Sequence, residues 1–335
     1  MLDETDIRIT HAIRVSPRVS FAQVADTLGV PEQTVTRRYR RLRREGLLRV
    51  TVAVNPHAFG ETAWQVRVQC RPEGASAIAD ALARRDDVSW ITILSAGWEV
   101  TFNLNATSST DSEELLTRLL PKAAPVQGVS PAAIIHTYAG GAPDDWQPWS
   151  GLLSAEQIRE LAATRIADPG IAPHPGSGTA LTAEDRRIID HLHRDGRIPY
   201  ATVARSVGTT AGKVTRRIDQ LLRSGVIYLD VDLAYAATEM QPTALWLTVE
   251  PRHLRSVGEA LAAHPNVPFA AATTGPTNLA TVVMTTGPAG LYDFVTGTMG
   301  SVDGITGYEI AIIDRRIKHA TALNTGGRLA PPTLR

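Results

Sequence analysis

Apolar positions along this chain switch between two periods, and the switch happens twice. In the first stretch Val24, Ala25 and Leu28, then Val35, Tyr39 and Leu42, fall at helical spacing. Ser20 is placed to cap the first of these helices, Gly29 permits a sharp turn, and Pro31 sits where the second begins. The prediction is helix, tight turn, helix. From Trp64 the period drops to two. Trp64, Val66, Val68 and Cys70 alternate with Gln65, Arg67 and Gln69, as a half-buried strand requires. A helix pattern follows around Ile78, Ala81 and Leu82. Strands are expected near Val88 to Leu94 and Val100 to Leu104, a helix near Ser112 to Leu120, and a last strand near Ala132 to Tyr138. That order, βαββαβ, is the pattern of a ferredoxin-like sandwich.

The pattern then starts again. Leu2 to Leu48 aligns without a gap on Leu181 to Ile227, with roughly 16 identities in 47 positions, including Val35-Thr36-Arg37-Arg38 against Val214-Thr215-Arg216-Arg217. The second copy continues with Leu245, Leu247 and Val249 on one strand face, a helix near Leu254 to Leu261, and strands near Phe269, Thr281 to Met284 and Gly307 to Ile313. The fold class expected is α+β: a winged-helix-like helix-turn-helix followed by a ferredoxin-like domain, duplicated in tandem. The expected segments are 1–50 and 181–229 for the helical heads, 51–140 and 230–325 for the sheet domains, and a tail at 326–335. Between the copies, 141–180 reads as a linker rich in proline and glycine (Pro143, Pro148, Pro169, Pro173, Pro175) with one helix-like stretch, Ser154 to Ile166.

Composition adds exclusions. The chain has 335 residues, 34 Lys+Arg against 34 Asp+Glu, and one cysteine. A single thiol, Cys70, makes neither an internal disulfide nor a multi-cysteine zinc site. No apolar run approaches the ~18 residues of a membrane helix, and the acidic start MLDETD is unlike a secretory signal, so a cytoplasmic protein is expected. The zero net charge conceals a strong polarity. Residues 1–50 carry 10 basic and 6 acidic groups and 181–228 carry 9 and 5, which leaves 15 and 23 for the remainder. Two basic heads ride on an acidic body.

On the second helix of the first head, Arg37, Arg40, Arg41 and Arg44 project about 140 to 240 degrees away from Val35. In the second head Val214, Ile218 and Leu221 face inward and Arg216 and Arg223 outward, with Asp219 and Gln220 replacing two arginines. A charge run on its own is more often a solvated face. Two runs, each on the outer side of a helix-turn-helix, favour DNA. Arginines neutralise phosphates, and residues near the helix start reach base edges. The candidates are Gln33, Thr34, Thr36, Arg37, Arg38, Arg40, Arg41 and Arg44 in the first copy, and Lys213, Thr215, Arg216, Arg217 and Arg223 in the second.

These residues resemble the Lrp/AsnC, or feast/famine, family of transcriptional regulators. The resemblance lies in L-D-x-x-D-x-x-I (Leu2, Asp3, Asp6, Ile9), the turn Ala25 to Gly29, the string Val35, Arg37, Arg38, Leu42, Gly46, and the βαββαβ segment downstream. It covers nearly the whole chain, twice. It implies a DNA-binding head and an effector and oligomerisation domain, known as RAM, that binds small molecules, commonly amino acids. The family's T-G-x-x-D effector loop is altered in both copies. Ser95-Ala96-Gly97-Trp98-Glu99 and Thr274-Gly275-Pro276-Thr277-Asn278 stand there, so the effector candidates are Ser95, Gly97, Trp98, Glu99, Thr274, Gly275, Thr277 and Asn278. Gly97 and Gly275 would let backbone amides approach a carboxylate, while Glu99 or Asn278 would accept from an amine; equally, such glycines serve as plain turn residues.

Two units in one chain imply a pseudo-dimer that meets an imperfect palindrome in duplex DNA, and chains that assemble further into homo-oligomers. No cofactor, metal site or membrane contact is expected. His191 and His193, at i and i+2 on a helix, face different ways. No nucleophile elbow, P-loop or dinucleotide motif occurs, and Gly176-Ser177-Gly178 lies in the linker. Trp146 and Trp149, flanking Pro148, are expected to pack the linker against the first sheet. The non-enzymatic alternative is an effector-blind architectural DNA binder. An enzymatic one is a sirohaem decarboxylase, since some Lrp-like proteins share this fold; its site would need cationic and histidine groups gathered in the sheet cleft, and the sheet segments are acidic with few histidines.

Overall fold

A computed structural model of the chain describes residues 2–105, 113–140, 146, 151–166, 181–234, 237, 238 and 240–331. The first head is three helices, α1 (Glu4–Val15), α2 (Phe21–Leu28) and α3 (Glu32–Arg44). Asp3 caps α1 through a reciprocal capping box with Asp6, Ser20 accepts from the Gln23 N–H at the start of α2, and Gly29 ends α2 at φ +67°. Val35, Tyr39 and Leu42 are buried, as their spacing predicts.

The sheet of the first copy runs β1 (Leu48–Val54), β2 (Ala63–Cys70), α4 (Pro72–Ala83), β3 (Val88–Leu94), β4 (Glu99–Asn105), a π-helical segment Leu115–Leu119, and β5 (Val126–Ala139). Helix α5 (Ala155–Ala162) follows. The second head is α6 (Ala183–Arg194), α7 (Tyr200–Val207) and α8 (Ala211–Arg223), with a Thr182–Asp185 capping box and Gly208 at φ +78°. Then come β6 (Ile227–Leu233), β7 (Gln241–Val249), α9 (Leu254–Ala262), β8 (Phe269–Thr273), β9 (Leu279–Thr285), α10 (Gly287–Asp293) and β10 (Ile305–Arg316). The register that aligns Leu2 with Leu181 also aligns Leu48 with Ile227 and Val126 with Ile305, so the duplication extends through the sheets.

Two features join the copies. Strands β1 and β6 form an antiparallel ribbon, Leu48 opposite Leu233 and Thr51 opposite Asp230. The remaining eight strands close into a barrel in the order β10-β3-β4-β2-β5-β8-β9-β7, with β5 pairing to β8 and β10 to β3 across the copies. Closure satisfies the edges that each four-stranded sheet would otherwise expose. The two sheets therefore close on each other within one chain.

The expected linker is partly absorbed into the first head. Ser154 caps α5, Leu161 is fully buried, and Gln157 Nε2 donates to the Thr27 carbonyl at 2.7 Å. Trp146 packs into the first head's core, with Arg14 5.5 Å from its ring centroid; the expected packing on the first sheet is corrected. Trp149, Pro143, Pro148, Pro169, Pro173, Pro175 and Gly176-Ser177-Gly178 lie outside the described residues. Across the expected boundary between the second sheet domain and the tail, β11 (Asn324–Thr325) and β12 (Arg328–Leu329) make a hairpin docked on the end of α3, where Leu329 N–H donates to the Gly46 carbonyl and Arg328 to that of Glu45, both at 2.8 Å.

Candidate nucleic-acid interface

Both recognition helices, α3 and α8, present a cationic outer side. Arg37, Arg40 and Arg44 are exposed, as is Gln33, while Thr34 and Thr36 are half-buried at the start of α3. On α8 the exposed groups are Lys213, Arg216 and Arg223; Thr215 is half-buried and spends its hydroxyl on the Ala211 carbonyl at 2.9 Å. An array of guanidinium and ammonium groups on the outer side of a helix, opposite its apolar face, can neutralise phosphates in a groove.

Three of the expected residues are also tied within their own heads. Arg38 faces α1, pairing with Asp3 and, at 2.9 Å, with Asp6; Arg41 also pairs with Asp6. In the second copy Arg217 makes a two-point contact with Asp185 at 2.6 and 2.8 Å. Asp6 and Asp185 are 1% and 2% exposed, so these pairs are struts between the first and third helices of each head. Arg217, with help from the Thr182 amide and hydroxyl, pulls the Asp185 carboxyl down to about 2. The acidic positions of L-D-x-x-D thus brace the recognition helix internally.

Sequence reasoning missed the residues that fix the heads relative to each other. Arg18 donates to the carbonyls of Gly196 and Ile198, and Arg197 donates to those of Pro17 and Val19 at 2.6 Å each. Arg43 reaches Asp195 of the other head at 2.9 Å. A signal existed, because Arg18 and Arg197 are one of the identities in the repeat alignment.

The two altered effector loops are engaged internally. Glu99 is held by Arg67 at 2.5 Å, and Arg67 stacks 3.7 Å from the centroid of Trp246. The Ala96 amide, between Ser95 and Gly97, donates to Asp314 at 2.6 Å, and Cys70 donates to the Gly97 carbonyl. Asn278 exchanges two 2.8 Å bonds with the Val249 backbone, Thr274 bonds Ala133 in both directions, and the Thr277 carbonyl accepts from Thr273. Gly275, at φ +108°, occupies the tight turn, and in the first loop Ser95, Ala96 and Trp98 are exposed, Trp98 by 55%. Glu99 and Asn278 are therefore committed to the sheet, contrary to the ligand-amine role expected of them.

A cavity of about 1320 Å³ lies between the two heads, the β1–β6 ribbon and the barrel mouth, and its walls include Arg14, Arg18, His136, His193, Arg316 and His319. Cationic and histidine groups gather there beside six carboxylates, Glu61, Asp86, Asp87, Asp190, Asp230 and Asp232, so the expected acidity of the sheet cleft is present together with them. The cations and histidines arrive from the heads (Arg14, Arg18, His193), from β5 (His136) and from the end of β10 and the segment after it (Arg316, His319), which period and spacing do not bring together. Inside, Asp232 and His319 stand 3.5 Å apart, both nearly fully buried, and burial drives the carboxyl up and the imidazole down, so both favour their neutral forms. Among the described residues no group of three or more His, Cys, Asp or Glu side chains is placed to hold a metal ion, and no helix is long and apolar enough to cross a membrane.

Comparison with known proteins agrees with this architecture. An AsnC-type helix-turn-helix domain matches residues 2–43 and again 181–222, and an Lrp/AsnC ligand binding domain matches 244–323. An uncharacterised HTH-type transcriptional regulator of Pyrococcus furiosus is 30% identical over 131 residues, which span 38% of this chain and 86% of the relative. The HTH-type transcriptional regulator LrpA of Pyrococcus horikoshii is 26% identical over 138 residues, 41% of this chain and 98% of that protein. Among solved structures, the siroheme decarboxylase NirDL shares the fold of both copies, with a TM-score of 0.61, 14% identity and coverage of 95% of this chain and 93% of that one. With two AsnC-type heads at the matched positions and an Lrp/AsnC sheet domain closing the second copy, the chain belongs to the Lrp/AsnC family.

Proposed function

We propose that the chain is a sequence-specific DNA-binding transcriptional regulator of the Lrp/AsnC type, acting in the cytoplasm, in which one polypeptide performs the work of a homodimer. The observation that carries the reading is the outward cationic face repeated on both recognition helices, with Arg37, Arg40 and Arg44 on one and Lys213, Arg216 and Arg223 on the other. The heads are related by pseudo-two-fold symmetry, so they meet successive major grooves on one face of the duplex. The first helix carries more exposed arginine than the second, and the operator is an imperfect palindrome whose first half-site is held more by phosphate contacts.

The chain acts by binding rather than by turnover, and a small metabolite of the amino-acid class, taken up by the domain that matches the Lrp/AsnC ligand binding domain, alters its DNA affinity. Such control needs an effector that prefers one arrangement of the heads over another. Chains associate further through the sheet domains. The test is selection of bound sequences from random DNA at two salt concentrations, with and without an amino-acid pool. An enriched imperfect palindrome whose affinity falls with salt supports the reading; an unenriched pool overturns sequence specificity and leaves the architectural alternative. One observation favours catalysis instead: the imidazole and guanidinium groups around the central cavity. Incubation with an iron-uroporphyrin, the ligand analogue bound by the decarboxylase neighbour, decides it, since spectral change with turnover would displace the regulator reading.

A further inference from the structure

The register that places Leu2 on Leu181 also tells which residues meet on the pseudo-two-fold axis between the copies. Thr51 and Asp230 are equivalent positions of β1 and β6, and they stand opposite each other at the centre of the ribbon. Arg67 and Trp246 are equivalent positions of β2 and β7, and the guanidinium lies 3.7 Å from the indole centroid. Were two identical copies joined in this way, each of these residues would face itself. Here threonine meets aspartate, and a cation meets an aromatic ring.

The surroundings of both pairs are equally one-sided. Beside Asp230, Asp232 is 2% exposed and stands opposite Arg49 of the first copy. In a pair of second copies Tyr228 would take the place of Arg49, and four carboxylates would share one ribbon with no arginine on either strand. Burial and Asp230 already drive the Asp232 carboxyl up, with Arg49 acting against them, and like charges directly opposite on a ladder destabilise it. On the barrel, Arg67 Nη1 donates to Glu309 at 2.8 Å and Trp246 Nε1 donates to the Gln65 side-chain oxygen at 2.9 Å. A pair of first copies would set two guanidinium groups together with only the two Glu99 carboxylates beside them, and would offer Ser130 where Glu309 stands. A pair of second copies would give Trp246 an alanine, Ala244, in place of Gln65. Between the heads, the Arg43–Asp195 pair would become Arg43 with Ser16, or Leu222 with Asp195. The Arg18 and Arg197 contacts do not discriminate, since both copies supply an arginine there and its acceptors are backbone carbonyls.

We propose that the face each copy presents to the other is a selective interface whose partner is the unlike copy: the first copy accepts the second, of its own chain or of another, and rejects its own kind. Selection of this sort needs contacts that favour the right pair and charges that penalise the wrong ones, and the ribbon and the barrel supply both. It holds two different recognition helices in one particle. The selectivity stands whether or not the heads read DNA.

The full chain, folded and then cut once at a protease site inserted at Gly176-Ser177-Gly178, tests this. The cut protein is unfolded in urea and refolded, and the pairs are weighed by native mass spectrometry. Indifferent faces would leave about half of the particles as like pairs; the unlike pair should instead exceed each like pair by at least about tenfold. Asp230→Thr with Asp232→Ala gives the second copy the first copy's residues at those positions, and should raise the proportion of its like pair at least about tenfold. Where the cut halves do not refold, the intact chain serves. Thr51→Asp should lower the urea midpoint further than Thr51→Asn, and adding Asp230→Thr should recover most of the difference. Like pairs at the random proportion, an unchanged proportion in the double variant, or no recovery by Asp230→Thr would overturn the proposal.

Discussion

The guanidinium of Arg18 lies 4.1 Å from the centroid of the Tyr200 ring, and Arg197 stands in the same relation to Phe21 at 4.6 Å. Tyr200 aligns with Phe21 in the repeat, so the two contacts are one interaction used twice about a pseudo-two-fold axis. Each arginine also donates to two carbonyls of the opposite head. The separation of the recognition helices is therefore set by side chains that lie off the DNA face.

Removing this clasp should loosen the spacing rule for DNA. Arg18→Ala or Arg197→Ala each forfeits a cation–π contact and two charge-assisted bonds to carbonyls, a loss of roughly 2–3 kcal/mol in urea unfolding. The double variant should accept operators whose half-sites are moved by one or two base pairs, measured by gel shift on a spacing series. Retention of a single preferred spacing would count against the clasp as the determinant.

Neighbouring arginines on α3 should behave differently. Arg37 is exposed, so Arg37→Ala should weaken DNA binding and reduce the salt slope by about one with little change in stability. Arg38 braces Asp3 and Asp6, so Arg38→Ala should lower stability by roughly 1–3 kcal/mol as well. Fluorescence anisotropy with labelled operator, paired with thermal melting, separates the two effects.

The strut in the second head predicts an acid-labile contribution. The Asp185 carboxyl titrates at about 2 when folded against an ordinary value of 3.8, so the unfolded state takes up the proton first as pH falls. The stabilisation is fully present above pH 4, declines below it and is gone once pH has fallen through 2. Asp185→Asn should cost roughly 2 kcal/mol at pH 7 and nothing near pH 2, read from denaturant melts across that range. A constant difference at all pH values would contradict the strut.

Gly46 should tolerate no side chain while the C-terminal hairpin is docked. Its φ is +64°, and a Cβ there would sit against the Leu329 carbonyl oxygen. Gly46→Ala should therefore destabilise by about 1–3 kcal/mol or release the hairpin, seen as faster proteolysis after residue 326. Truncation after Thr325 should remove the part of the cost that comes from Leu329 and leave the part that comes from φ.

The repeat, the helix-turn-helix heads, the βαββαβ order and the polarity of charge were all determined by the sequence itself. Each rests on positions a few residues apart, as with Val35, Tyr39 and Leu42 or Trp64, Val66 and Val68, where helix and strand periods act locally. Which arginines are available was decided only in three dimensions. Arg38 and Arg40 differ because Asp6, a whole head away in sequence, reaches one and not the other. The same holds for the β1–β6 ribbon, the closed barrel, the Arg18–Arg197 clasp and the cavity that gathers His193 with His319. Their energies come from contacts between the two copies, and local spacing carries no record of which distant group will fill the last hydrogen bond.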